Sequence, residues 1–417
     1  MSSEPRPPGS ISTVPAMPGV APDADADAGA IARISTLAIF CKVIDNFGDI
    51  GICWRLARQL QTEHGIAVTL WVDDLRSFQK IAPPLDTGAD CQQIAGVTVR
   101  HWRDQDGVFG AGDIADIVIE FFACDIPPGY IAAMAQCTPR PIWLNLEGMS
   151  AEEWVEGCHT LPSPHPHLPL TKHFFFPGFT NKTGGLLREA TLDDERARFV
   201  AEPGAIEHFL MTQLGLTASE TAGFKVSLFC YPHAPLNELF AAWQQGADAI
   251  TCLAPEGVAS AAIEAFLGTP AIAGAARTRG ALSVRVVPFV PQADYDKLLW
   301  ACDLNIVRGE DSIVRAQWAG KPFVWHIYPQ DDNLHHKKLR AFLARFAPAI
   351  DSLSAFWLHF NGATTFAIDW RVNWQQLQAD LPAIQTRVVE WRAATVAHGD
   401  LTGNLLKFAR SLRALTA

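Results

Sequence analysis

The sequence lacks the features that define several large classes of protein. Charged residues make up only 18% of its 417 residues, which is too few for a disordered chain. No apolar stretch approaches the roughly 20 residues that a membrane-spanning helix needs. The first residues show no basic region followed by an apolar core, so no secretory signal is predicted. We therefore expect a cytoplasmic protein without a membrane partner.

Cysteine pairs and several catalytic signatures are also missing. None of the nine cysteines forms a CxxC pair, and several, such as Cys41, Cys230 and Cys302, stand in apolar runs, so free thiols are predicted. No GxSxG, P-loop or kinase motif is present, which leaves hydrolase and phosphotransferase activities without support. The histidines that stand close together lack the spacing of two ligands on one helix face, so no metal site is predicted. They are His165, His167, His173, His335 and His336.

An excess of negative charge limits the partners of this chain. Its 33 basic and 44 acidic residues give a formal net charge of −11. Direct binding to a nucleic-acid backbone needs concentrated Lys and Arg, so it is not expected. The net charge still allows a locally basic pocket for a nucleotide diphosphate.

Two series of short apolar segments alternate with helical patterns, which predicts an α/β fold with two doubly wound parallel sheets. Residues 1–34 are rich in Pro, Ala, Gly, Ser and Asp and are predicted to form a disordered tail. The Pro- and Gly-containing segment 159–190 is predicted to be mostly irregular and functional. The predicted strands are 37–44, 67–72, 97–101, 117–121, 141–145, 224–229, 249–253, 284–289, 303–307 and 322–325. The predicted helices include 51–63, 295–301 and 312–319, and residues 374–415 are largely helical.

An acidic turn, Asp45-Asn-Phe-Gly-Asp49, directly follows the first predicted strand. Doubly wound folds bind ligands at the carboxyl ends of their strands, and Gly48 and Gly51 permit close approach of the backbone. Because no GxGxxG pattern is present and the turn carries two carboxylates, a cationic substrate group is favoured here over a phosphate. The alternative is structural, with one Asp capping the helix and the other forming the turn.

A second motif, Arg308-Gly-Glu-Asp-Ser312, follows the predicted strand 303–307 and opens a helix. The free N–H groups and positive dipole of a helix N-terminus suit a phosphate. Ser312 adds a hydroxyl donor, Arg308 adds a positive charge, and Glu310 is placed to accept hydrogen bonds from ribose hydroxyls. The alternative is a capped helix in which Glu310 and Asp311 only complement the dipole.

Aromatic residues and one amide stand at two further strand ends. Phe289 is a candidate for stacking on a base, and Gln292 for bonding a phosphate or a base edge. Phe229 and Tyr231 offer a second aromatic wall. The alternative is that these aromatic side chains belong to the core.

Longer strings that include two of these motifs resemble one family closely, the protein-arginine rhamnosyltransferases that modify bacterial translation elongation factor P (EF-P). The resemblance spans about residues 36–410. It rests on Ile44-Asp-Asn-Phe-Gly-Asp-Ile-Gly-Ile-Cys-Trp-Arg-Leu-Ala-Arg58, on Leu161-Pro-Ser-Pro-His-Pro166 with Phe174-Phe-Phe-Pro-Gly-Phe-Thr180, and on Arg308–Ser312 continuing to Trp325-His-Ile-Tyr-Pro-Gln330.

The resemblance implies a GT-B glycosyltransferase, in which two Rossmann-like doubly wound domains face a cleft. Residues 35–215, joined by a C-terminal helix over 400–417, would form the acceptor-binding domain, and residues 216–399 the domain that binds the nucleotide-sugar. The donor implied is dTDP-β-L-rhamnose and the acceptor an arginine in the N-terminal, KOW-like domain of EF-P. Transfer would invert the configuration, need no metal or other cofactor, and activate EF-P for rescue of ribosomes stalled at polyproline.

The resemblance also assigns roles to residues. Asp45 and Asp49 would be the acidic pair at the reaction centre, with Asp49 as the base that accepts a guanidinium proton and Asp45 holding the second edge of the guanidinium or the loop. The residues around the donor would be Phe229, Tyr231, Phe289, Gln292, Arg308, Glu310, Asp311 and Ser312. Two alternatives stay open: a GT-B transferase for a small molecule or glycan, and a regulator that binds a nucleotide-sugar without turnover.

Overall fold

The computed structural model describes residues 34–45, 47–103 and 107–416. The predicted tail over residues 1–34 lies outside these ranges apart from Ile34. None of the helices in the described ranges combines the length and the apolar composition needed to cross a membrane. All nine cysteines are free thiols, as predicted, and six of them are buried.

The first half of the chain forms a sheet of eight strands among the described residues, in the order β3-β4-β2-β1-β5-β6-β8-β7. The two edge pairs, β3–β4 and β7–β8, are antiparallel and the other neighbours are parallel. The strands are β1 Thr36–Cys41, β2 Ala67–Val72, β3 Cys91–Ile94, β4 Val97–His101, β5 Ile117–Phe121, β6 Ile142–Leu146, β7 Pro162–Pro164 and β8 Thr171–Phe175.

The second half forms a sheet of six described strands in the order β11-β12-β10-β9-β13-β14. Only the edge pair β11–β12 is antiparallel in this set. The strands are β9 Phe224–Leu228, β10 Ile250–Pro255, β11 Ala276–Arg279, β12 Leu282–Val287, β13 Leu304–Arg308 and β14 Phe323–His326.

Helices cover the sheets and connect their parallel strands. In the first half they are α1 Gly48–His64, α2 Leu75–Ile81, α3 Pro128–Gln136, α4 Trp154–Cys158, α5 Leu192–Ala201 and α6 Ala205–His208. In the second half they are α7 Ala218–Ala222, α8 Leu236–Gln244, α9 Ser260–Leu267, α10 Gln292–Ala301, α11 Asp311–Ala319, α12 Leu334–Phe346, α13 Asp351–Phe360, α14 Trp370–Val396 and α15 Leu401–Thr416.

Most of the predicted elements are present, with ends that differ by a few residues. The first strand ends at Cys41 rather than residue 44, because residues 42–45 turn away from the sheet. The segment 159–190 is mostly irregular, as predicted, but it contains β7 and β8, which form an antiparallel pair, and β8 joins β6 in the sheet. None of the Pro and Gly residues of this segment lies in β8, so its five residues are free to pair.

Both sheets place a topological switch point at the cleft between the halves. In the first sheet β1 lies between β2 and β5, so the loop after β1 opens where the strand order reverses. In the second sheet β9 lies between β10 and β13, so the loops after β9 and β13 meet at the equivalent place. Ligands of doubly wound folds bind in such crevices.

Two segments near the predicted domain boundaries, residues 209–216 and helix α15, pack against different halves of the chain. Residues 209–216 pack with Leu253, Val287 and Leu298 of the second half. Helix α15 returns to the first half, where Leu401 and Leu405 lie in the core of the first sheet. The boundaries predicted from the sequence at 215/216 and 399/400 remain predictions.

Candidate active site

The acidic turn after β1 is held together by Asp49. This side chain is buried in the first turn of α1, and its Oδ2 accepts hydrogen bonds from the backbone N–H of Ile44 at 2.7 Å and of Asp45 at 2.8 Å. Its Oδ1 has no donor among the described residues. Neither Asp caps the helix, because the N-cap is Phe47 and makes no side-chain hydrogen bond.

Asp45 faces the second half of the chain. Its Oδ2 accepts a hydrogen bond from Tyr231 Oη at 2.7 Å, and Tyr231 lies in the loop after β9. A Cβ atom on Gly309, after β13, would lie 2.8 Å from the same Oδ2. Gly309 has a φ of 64°, so both its conformation and this close approach require glycine.

Burial dominates the electrostatics of this acidic pair. It raises the pKa of Asp49 to about 6, although the two backbone hydrogen bonds act in the opposite direction, and the charges of Asp45 and Glu310 raise it further. Burial also raises the pKa of Asp45, against the effects of Tyr231 and Arg308. Burial and the adjacent Asp45 raise the pKa of Tyr231, which therefore stays protonated and donates.

A cavity of about 580 Å³ opens beside Asp45 at the switch point of the second sheet. Six of the residues predicted to surround a donor line it: Phe229, Phe289, Gln292, Arg308, Asp311 and Ser312. The fold therefore brings predicted residues from the ends of three different strands, β9, β12 and β13, into one cavity.

Arg308 forms the charged wall of this cavity. Its guanidinium carbon lies 4.4 Å from the ring centroid of Phe229 and 5.0 Å from that of Tyr231. Its Nη1 donates to the carbonyl oxygen of Cys230 at 3.3 Å. The two rings fix the direction of the guanidinium. Phe229 and Tyr231 therefore contact a charged group at the cavity, in addition to any packing in the core that the sequence analysis gave as their alternative role.

Helix α11 begins beside Arg308 and directs its N-terminus to the cavity. The helix starts at Asp311, one residue before the predicted position, and Ser312 lies in its first turn. Its N-cap residue, Glu310, makes no capping hydrogen bond from its side chain. The alternative of an ordinary capped helix therefore does not describe Glu310.

Glu310 instead crosses to the first half of the chain. Its Oε2 accepts from the backbone N–H of Met149 at 2.8 Å, and its Oε1 accepts from Lys338 Nζ of α12. Together with Asp45 and Asp49 it lines a second cavity of about 790 Å³. This cavity shares Asp45 and Gly48 with the first one, so the two cavities meet at Asp45.

Gln292 and Asp311 are engaged with the first half rather than free. Gln292 Nε2 donates to the carbonyl of Gly51 at 2.9 Å, and its Oε1 accepts from Arg58 at 3.4 Å. Asp311 Oδ1 accepts from Arg55 Nε at 3.0 Å. Both side chains line the first cavity and also join the two halves of the chain.

Sequence reasoning missed three contributors to this site: Arg55, Gly309 and Lys338. Arg55 stands within an amphipathic helix, where an arginine normally faces solvent, and no local pattern indicates that it is buried. Lys338 belongs to a basic run in α12. Gly309 was visible within the motif but carried no assigned role.

The chain was compared with known families and proteins. The model of the family described as Elongation-Factor P (EF-P) rhamnosyltransferase EarP matches residues 37–410. The chain belongs to the EarP family. It is 46% identical over 380 residues to a protein-arginine rhamnosyltransferase of Pseudomonas putida, covering 90% of this chain and 99% of that protein. A protein-arginine rhamnosyltransferase of Pseudomonas aeruginosa is 42% identical over 377 residues, covering 89% and 97%.

A solved structure supports the same family and the fold. It concerns the structural basis for EarP-mediated arginine glycosylation of translation elongation factor EF-P, and it is 34% identical. The match covers 90% of this chain and 99% of that chain, with a TM-score of 0.63. The predicted resemblance and the predicted GT-B architecture, two doubly wound sheets on either side of a cleft, are confirmed. The roles predicted for individual residues remain predictions.

Proposed function

We propose that this chain transfers L-rhamnose from dTDP-β-L-rhamnose to an arginine side chain of EF-P, with inversion at the anomeric carbon and without a metal or other cofactor. Its membership of the EarP family and its similarity to proteins named protein-arginine rhamnosyltransferase support this function. The observation that carries it is the position of Asp45, which lines both an aromatic cavity that contains Arg308 and a second cavity that contains Asp49 and Glu310.

The first cavity suits a nucleoside diphosphate. The thymine is proposed to stack beside Phe289, whose ring lies 4.8 Å from that of Phe47. The diphosphate would lie at the N-terminus of α11, where Ser312 and the backbone N–H groups donate and Arg308 neutralises charge. These groups supply positive potential from the protein itself, so the proposal needs no metal ion.

The second cavity suits a guanidinium. It presents the carboxylates of Asp45 and Asp49, together with Glu310, which is paired with Lys338, and planar guanidinium groups bind carboxylates through paired hydrogen bonds. Ile44 and Tyr328 stand at this cavity with 67% and 38% of their surface exposed. A protein loop that carries arginine would supply a positive charge for the carboxylates and apolar residues to contact Ile44 and Tyr328.

The proposed reaction is a single displacement. A guanidinium nitrogen forms a bond to C1 of the sugar as the bond from C1 to the diphosphate oxygen breaks, and dTDP leaves with that electron pair. The nitrogen proton passes to a carboxylate, which we assign to Asp49 through its free Oδ1. Asp45, fixed by Tyr231, orients the guanidinium and stabilises the positive charge that develops at C1.

We also propose the biological setting that this acceptor implies. The target would be the arginine of a loop in the N-terminal, KOW-like domain of EF-P, modified in the cytoplasm. The modified factor would be active in rescuing ribosomes stalled at polyproline. These points rest on family membership.

One experiment tests the proposal and separates it from its alternatives. The protein is incubated with EF-P and dTDP-rhamnose, with and without EDTA, and the intact mass of EF-P is measured. We expect a gain of one deoxyhexose on a single arginine, unchanged by EDTA, and no gain with Asp49→Ala. Transfer to a small molecule or glycan but not to EF-P would favour the first alternative, and binding of dTDP without any turnover would favour the second.

A further inference from the structure

A buried network of charges lies beneath the first cavity. Arg315 of α11 forms a two-fold contact with Asp296 of α10, at 2.8 Å for both Nε and Nη2. Its Nη1 donates to Glu189 at 2.6 Å. These contacts link α10 and α11 to Glu189, which lies between β8 and α5 of the first half. The network continues across the cleft to Arg55.

Arg55 enters this network from the first half of the chain. It lies on α1 with only 2% of its side chain exposed. It donates to three residues of the second half and to Glu189, which precedes α5. Nε donates to Asp311 at 3.0 Å, and Nη1 donates to Asp296 at 3.2 Å and to Glu189 at 3.5 Å. Nη2 donates to the backbone carbonyl of Gln292 at 3.4 Å.

Two of these acceptors belong to residues that line the first cavity. Asp311 is the first residue of α11, and Gln292 is the first residue of α10. The approach of α1 to both is close, because a Cβ atom on Gly51 would lie 3.2 Å from Asp311 Oδ2 and 3.3 Å from Gln292 Nε2. Arg55 therefore holds the starts of both helices at the cavity from the opposite half.

We propose that Arg55 is a positioning residue for the nucleotide-sugar, through which the acceptor half sets the shape and charge of the donor cavity. The inference rests on the proposed function, since it takes the first cavity as the dTDP site. Arg55 does not line that cavity and acts through Asp311 and Gln292. The contacts of Arg55 with Asp311 and Gln292 fix the N-termini of α11 and α10, so the packing of the two halves against each other and donor binding are coupled.

The charges of the network explain why removal of Arg55 would change the first cavity. Burial raises the pKa of Asp311, and Arg55 and Arg315 oppose that rise. Without Arg55, Asp296 and Glu189 would keep their ion pairs with Arg315, whereas Asp311 would lose the one ion pair that it makes among the described residues. Uncompensated buried charge is strongly unfavourable, so Asp311 would take up a proton or move, and the start of α11 would shift with it.

The test compares Arg55→Met and Arg55→Lys with a matched control, Arg285→Met. Arg285 forms a partly buried ion pair with Glu220, at 2.7 Å and 3.0 Å, wholly within the second half. We expect Arg55→Met to raise the Kd for dTDP at least tenfold by calorimetry. Arg55→Lys keeps the charge but is too short to reach Asp311 and Asp296 together, so a rise of threefold or more is expected. Arg285→Met should lower the Tm while the Kd stays within twofold.

Three outcomes decide between the possibilities. If wild-type protein does not bind dTDP, the proposed function fails and the inference falls with it. If wild-type protein binds dTDP and Arg55→Lys binds it within twofold of wild type, the positioning role is refuted even where Arg55→Met does not fold. If Asp311→Asn and the double variant Arg55→Met/Asp311→Asn differ less than threefold in Kd, the coupling through Asp311 is supported; independent effects that multiply would contradict it.

Discussion

Replacing Asp49 with asparagine should remove transfer and make the protein more stable at neutral pH. The two backbone N–H groups of residues 44 and 45 donate to one side-chain oxygen, which an asparagine carbonyl can replace. The substitution therefore keeps the turn but removes a buried negative charge. It also removes the proposed base, so stability and activity should change in opposite directions.

The magnitude follows from the pKa of Asp49. The folded protein raises it from 3.8 to about 6, so the protonated form is favoured by folding. The stability that this group contributes is fully present below pH 3.8 and is lost as the pH rises through 6. With 1.36 kcal/mol for each pH unit, ionised Asp49 destabilises the fold by about 3 kcal/mol at pH 7.5 and by about half as much at pH 5.

Urea unfolding of both proteins at pH 7.5 and pH 5 measures this difference. We expect Asp49→Asn to gain up to about 3 kcal/mol at pH 7.5 and about half of that at pH 5. Asp74→Ala serves as the control of opposite sign, because Asp74 caps α2 by accepting from the backbone N–H of Arg76 and Ser77, and its loss should cost about 1 kcal/mol. A variant Asp49→Asn with the stability of wild type at both pH values would refute the reasoning.

Three further predictions concern activity. The rate of transfer should fall as the pH drops through about 6, because Asp49 takes up a proton there. A profile of kcat/KM from pH 5 to 8 measures this, and a value of kcat/KM that stays unchanged down to pH 5 would contradict it. Tyr231→Phe removes the hydrogen bond to Asp45 and should lower kcat about tenfold or more, since bonds to charged groups are worth about 1.5–3 kcal/mol, while the Kd for dTDP stays within about threefold. Arg308→Ala should weaken dTDP binding by about tenfold or more, and a calorimetric titration with unchanged affinity would exclude a role at the diphosphate.

The sequence predicted the buried strands well because their signal is local. The residues of β2, β4 and β5 match the predicted ranges in full, since each contains apolar β-branched residues and lies between turns. The strands β3 and β11 were not predicted. They are short edge strands with mostly polar and exposed residues, Cys91–Ile94 and Ala276–Arg279, and only pairing with a neighbour identifies them.

The sequence predicted which residues form much of the candidate site, but not how they contact one another. Strand ends pointed to Asp45, Arg308 and Ser312, because doubly wound folds bind ligands there. The sequence could not show that Glu310 turns toward Asp45 and Asp49, or that Gln292 bonds the backbone of the other half. Such contacts depend on how two separately recognisable halves meet, and no periodicity within either half records that.

The return of α15 to the first sheet affects the order in which the chain can fold. Leu401, Leu405 and Ala409 fill the same core as Leu37 and Ile39, nearly the whole chain away. During synthesis the second half can therefore bury its core while the first half still exposes apolar surface. The first half is synthesised first but completes its core last. Truncations or bulky tags at the C-terminus should therefore destabilise the first half more than the second half.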